Sequence, residues 1–134
     1  MSIHTRRDAL LSVTKALPAA GANNDSGSID LGSPTPIVVG DSIEVEVALP
    51  ALANLVKDKT VTCTLHDSAD NTTFAAITGL STLVVTGGDS GGAAAASRVV
   101  RLPSSVKRYI RVNTAVLTDG GDNTASSVKL SVLI

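Results

Sequence analysis

Between residues 42 and 49 the chain alternates cleanly. Ile43, Val45, Val47 and Leu49 are apolar, and Ser42, Glu44, Glu46 and Ala48 stand between them. A period of two puts one set on each face of an extended segment, so the pattern predicts a half-buried strand, stopped by Pro50. The same period returns at residues 60–66, where Val61, Cys63 and Leu65 alternate with Thr62, Thr64 and His66. Asp67, Ser68, Ala69, Asp70 and Asn71 follow, short polar side chains that hydrogen-bond their own backbone and tolerate unusual dihedrals. Phe74, Ala76 and Ile77 then open a second extended run, so residues 60–80 read as a hairpin. Ile29 and Leu31 predict a short first strand. Residues 82–86, 98–102, 109–116 and 127–133 complete about eight, with Gly120, Gly121, Asp122 and Asn123 turning the chain before the last. Residues 51–59 read as a loop or one helical turn, and residues 87–97 as a flexible glycine- and alanine-rich loop. Many short strands with no long helix and no internal repeat predict an all-β, single-domain β-sandwich of the jelly-roll kind.

Residues 1–24 lack this pattern. Leu10, Leu11, Val13 and Leu17 are scattered among Arg6, Arg7, Asp8 and Lys15, and two helical turns over residues 8–15 would be marginal in water. The segment reads as a frayed terminus or as an arm that orders on a partner. The expected organisation is therefore an N-terminal arm over residues 1–24 and a sandwich domain over 25–134. Pro34 and Pro36 interrupt the chain between the first two expected strands of that domain.

Composition narrows the function. A chain of 134 residues is one domain's length and buries roughly two-thirds of its unfolded surface. It is 43% hydrophobic but 1% aromatic, so Val, Leu, Ile and Ala must fill the interior. With 11 basic and 12 acidic residues there is no basic face of the kind that binds nucleic acid in general. Cys63 is alone and cannot form an internal disulfide. No apolar run approaches the roughly 20 residues that span a bilayer. The apolar stretch at residues 9–11 is broken at once by Ser12, Thr14 and Lys15, unlike a signal peptide. The expectation is a soluble protein made in a cytoplasm.

Several motifs invite chemistry. Residues 88–92 spell GDSGG, the string around the nucleophile of trypsin-like serine proteases. That chemistry needs a histidine base and an orienting aspartate. The only histidines are His4 and His66, neither in a matching context, so residues 88–92 read as a solvated loop. Cys63 and His66 point to opposite faces of a strand and do not share a metal; Cys63 reads as a small buried hydrophobe. Asp67 with Asp70, and Asp119 with Asp122, lie in segments too short for a calcium loop and read as turn residues. Asn71 opens a formal glycosylation sequon with nothing to place the chain in a secretory pathway. Lys107, Arg108 and Arg111, with Arg98 and Arg101, form the one basic cluster. It reads either as a solvated strand face or as a contact with an acidic protein surface. Stacking platforms for nucleic acid are missing.

Taken in order, IDLG at residues 29–32, GDSIEVEV at 40–47, LHDSADNTTF at 65–74, RLPSSVKRYIRVN at 101–113 and VKLSVLI at 128–134 resemble the jelly-roll cement, or decoration, proteins of tailed-bacteriophage capsids. The resemblance covers residues 28–134. It implies a non-enzymatic virion protein on the capsid exterior that bridges and stabilises major capsid protein subunits. No cofactor, metal, nucleic-acid or membrane partner is implied, and there are no catalytic residues to carry over. Covered sheet edges and closed symmetry lead us to expect a homo-oligomer, a dimer slightly ahead of a trimer. Candidate partner contacts are Leu10, Leu11 and Val13 of the arm and Lys107, Arg108 and Arg111 of the basic cluster. The competing reading is a β-sandwich carbohydrate-binding or host-attachment module of a virion; having only Phe74 and Tyr109 as aromatic rings disfavours it.

Overall fold

The computed structural model describes residues 7–31, 43–80, 82–103 and 105–133, with side chains described from Leu11 onward. These residues form ten strands and no helix: β1 (Arg7–Ala16), β2 (Asn23–Asp25), β3 (Ile29–Asp30), β4 (Glu44–Leu49), β5 (Thr60–Ser68), β6 (Ala75–Ala76), β7 (Leu83–Thr86), β8 (Ala96–Arg101), β9 (Tyr109–Val116) and β10 (Ser127–Leu133). One sheet runs β1-β10-β4-β8; the other runs β2-β9-β5-β6, with β3 also on β9 and β7 also on β5. All pairings within the two sheets are antiparallel.

Ten strands fill only eight lanes. Asn23–Asp25 pairs the far end of β9, and Ile29–Asp30 pairs its near end, so β2 and β3 share one lane. Strands β6 and β7 divide the edge of β5 in the same way. Counted by lane, the sheets read 1-8-3-6 and 2-7-4-5, and the chain passes between them from lane to lane. That order is a jelly-roll β-sandwich, as the pattern of short strands predicts.

Alternation built it. Strands β4, β5 and β9 bury every second residue, placing Val45, Val47, Leu49, Val61, Cys63, Leu65, Ile110 and Val112 between the sheets. With Val128, Leu130 and Val132 of β10 these make an interior without an aromatic ring among the described residues. Each fully buried Val or Leu contributes about 1.5–3 kcal/mol relative to exposure.

The expected arm over residues 1–24 is corrected for every described residue in it. Arg7–Ala16 is a strand paired with β10, Leu11 and Val13 pack against the core, and Leu17 is buried. The partner strand lies at the other end of the sequence, and the register shifts between Arg7 and Ser12. That shift breaks the alternation where Leu10 and Leu11 stand side by side, and so hides the strand. The two helical turns considered for residues 8–15 are likewise absent. Residues 1–6, with His4 and Arg6, lie outside the described residues, as do Pro34 and Pro36.

Residues 87–97 do not form a free loop either. At this end of the sandwich the loops are stitched together by backbone bonds. Val56 donates to Gly120 O (3.1 Å), Gly92 to Leu55 O (2.7 Å), Leu52 to Ala93 O (2.8 Å) and Asp58 to Gly87 O (3.0 Å). Residues 51–59 are accordingly a loop, anchored by the buried Leu52 and Leu55. A Cβ on Gly87 would stand 2.1 Å from Val56 O, and one on Gly121 2.3 Å from Asn54 O, so only glycine permits this approach.

Candidate functional site

The outward side chains of the six-stranded sheet make one broad polar face. From β9 it takes Tyr109, Arg111, Asn113 and Ala115, and from β5 Thr60, Thr62, Thr64 and His66; all eight are half-buried. Register sets the neighbours: His66 lies opposite Arg111, Thr64 opposite Asn113 and Thr62 opposite Ala115. Strand β2 adds Asn23 and Asp25, and β3 adds Asp30.

Charges on this face are already matched. An Arg111 guanidinium nitrogen lies 3.2 Å from Asp25 Oδ2, and the guanidinium carbon sits 3.8 Å from the Phe74 ring centroid. Asn113 Nδ2 donates to Asp25 Oδ1 (2.8 Å) and to Asn23 Oδ1 (3.2 Å). Arg108 forms a two-pronged pair with Asp30, at 2.8 Å from Nε and 2.9 Å from Nη2, and its guanidinium is 5.1 Å from the Tyr109 ring centroid. Two-pronged geometry and a ring face both fix a guanidinium's orientation. At 38% and 45% side-chain exposure the Arg108–Asp30 pair is screened by solvent and adds little to stability. Its consequence is order and neutrality.

Burial and local bonds tune the polar groups around this face, although Arg111 Nε and Asn24 Oδ1 are buried without a hydrogen-bond partner. His66 is held below its ordinary pKa, first by burial and then by Arg111, against the opposing pull of Asp25 and Asp67. Asp67 points inward and its Oδ2 accepts the Lys107 backbone N–H (3.1 Å). The following turn is built on buried Ser68, whose Oγ donates to Asp70 Oδ1 (2.8 Å) and accepts from Asn71 N (3.0 Å). Asp70 Oδ1 also accepts from Thr72 N (2.9 Å) and Thr73 N (3.0 Å). The Thr73 bond foremost, then Ser68 and Thr72, brings its carboxyl down to about 2. A shallow open depression lined by Gly21, Asn23, Thr60, Thr62, Ala115 and Thr118 lies at the other end of the face.

The structure divides the residues that the sequence grouped. Arg98 and Arg101 lie on β8 in the four-stranded sheet, away from Arg108 and Arg111. Of the three cations expected to meet a partner, Arg108 and Arg111 are engaged within the chain, and the Lys107 side chain is exposed. Leu11 and Val13 face the core, and the Leu10 side chain lies outside the described residues. Asp25, Asp30 and Asn113, which organise the face, carry no sequence signal as partners, because each bond joins distant segments. The alternation around residues 109–113 puts Tyr109 and Arg111 on one face.

Ser90 stands exposed in a turn closed by Gly88 N to Gly92 O (2.9 Å), while His66 belongs to the sheet face. Cys63 is buried, with the Thr114 hydroxyl 3.9 Å from its sulfur; burial pushes its thiol up to about 11. Among the described residues no three His, Cys, Asp or Glu side chains gather as a metal site.

These features define a class: a jelly-roll sandwich with a broad polar face whose charges are paired within the chain. The chain belongs to the Bbp16 family, phage-associated by name, whose model matches residues 11–132. No curated protein matches it. Among solved structures it is similar to one described as "Family 16 Carbohydrate Binding Module-2", at 12% identity and a TM-score of 0.37, over 90% of this chain and 74% of that one.

Proposed function

We propose that this protein is a non-enzymatic structural protein of a phage virion, binding the outer surface of the assembled capsid and bridging major capsid protein subunits. Membership in the phage-associated Bbp16 family carries the reading. The geometry is suited to it. On the wide face of the six-stranded sheet the long side chains of Arg108 and Arg111 are already held by Asp30 and Asp25, so little of their order is lost when another protein packs on it. A ligand that binds assembled shell better than free subunits stabilises the shell by RT ln(1 + [L]/Kd) per site, and many identical sites multiply the effect. Self-association as a homo-oligomer on the shell belongs to this proposal.

The competing glycan-binding role is disfavoured by the rings. A sugar stacks on an open aromatic face, whereas Arg108 and Arg111 each lie against one of the two rings this chain has. The test uses purified protein, DNA-free capsid shells and a glycan panel. We expect saturable binding to shells and none to glycans. Shells assembled without the protein should form normally but fail earlier on heating or osmotic shock, and recover when it is added back. Shells equally robust with and without it, together with glycan binding, would overturn the proposal in favour of attachment.

A further inference from the structure

Among the described residues, both outermost strands of the four-stranded sheet carry a cation on the core-facing side. Directly opposed residues of neighbouring strands share a face. Val13 of β1 lies opposite Leu130 and Lys15 opposite Val128, and both partners are in the core. Lys15 therefore starts from the inner side of β1. On β8, Ala96, Arg98 and Val100 lie opposite Leu49, Val47 and Val45, all buried, so Arg98 starts from the inner side too. The central strands β4 and β10 carry their charges, Glu44, Glu46 and Lys129, only at outward positions.

Lys15 and Arg98 are nevertheless exposed. A long cation at the rim of a sheet can lay its stem on apolar surface and bend its head into water. That route exists because the sheet order ends at β1 and β8, and among the described residues neither strand has a second strand partner within the sheet. No ion pair among the described residues holds either cation.

We infer that Lys15 and Arg98 are edge guards that keep the free protein from adding a further strand, its own or a stranger's, to this sheet. An added strand would extend the sheet past the rim and cover the cation's way out, leaving an unpaired charge between layers. A valine at either position would remove that penalty. Any self-association on a partner surface then uses other parts of the molecule. The inference concerns the free protein and stands whether or not a capsid is the partner.

The test compares Lys15→Val with Arg98→Val, singly and together, against Lys129→Val, which removes the same charge from an outward position on a central strand. Circular dichroism melts confirm folding; sedimentation velocity and thioflavin T fluorescence read association. The double valine variant should shift from one sedimenting species to a concentration-dependent series, while wild type and Lys129→Val stay single. Replacing both guards with glutamate should also stay single, because a charge of either sign would be trapped. Should the valine pair precipitate on expression, Lys15→Thr with Arg98→Thr gives the same readout. A folded, uncharged double variant that sediments as wild type, or equal association by Lys129→Val or by the glutamate pair, would overturn the inference.

Discussion

Gly87 has no room for a methyl group. Its Cβ would meet Val56 O at 2.1 Å and Val56 C at 2.7 Å, and both are backbone atoms that cannot swing aside. Gly87→Ala should therefore cost about 3 kcal/mol or more in urea unfolding. Gly27→Ala, with nothing within 4 Å of the new carbon, should be close to neutral. Asp70 supplies a pH signature. Its folded pKa of about 2 lies below the ordinary 3.8, so the stability it contributes is present above pH 4 and is lost as pH falls toward 2. We expect the melting temperature to drop across that interval, and Asp70→Asn to flatten that part of the profile. At this scale the sequence was legible where chemistry is local. Cys63 reads as a buried apolar group because its neighbours alternate, and residues 68–71 read as a turn because Ser68 and Asp70 bond the backbone beside them; Asp67, read into the same turn, lies instead in β5 and bonds the distant Lys107 N. The pairing of Arg111 with Asp25, or of Arg108 with Asp30, is set by which strands become neighbours, and nothing near either arginine announces it.

Elements followed the same division. Strands β4, β5 and β9 are visible because each alternates a buried with a half-exposed face, and β10 because Val128, Leu130 and Val132 keep the same period although Ser131 between them is buried as well. The loop expected at residues 87–97 looked free because glycine and alanine dominate it; its order comes from bonds to residues 52–59, which composition does not encode. Strand β1 was missed because its register shift disrupts the alternation. Deleting residues 1–24 follows directly as a test. It removes β1, β2 up to Asn24 and Leu17, stripping Val128 and Leu130 of β10 of their cover. Losing buried Leu17, at about 2–5 kcal/mol for a leucine-sized group, together with partly buried Leu11 and Val13 and the whole β1 ladder, exceeds what a domain of this size has to spare. The truncated protein should show no cooperative melt; a melt like that of the full chain would mean that β1 is dispensable.

For the whole molecule, the defining feature is that the sheet β1-β10-β4-β8 joins the first described strand to the last. This has a kinetic meaning. A ribosome delivers β1 long before β10 exists, so β1 must wait through synthesis of nearly the entire chain before its ladder can close. Pairings of such long sequence separation are slow, because loop closure must be achieved before any contact rewards it. During that wait β1 is an unpaired strand on both sides, in a cell where other copies are being made nearby. The first strand of the sandwich to be made is thus among the last to be secured, and the fold closes only when both of its outermost segments have met.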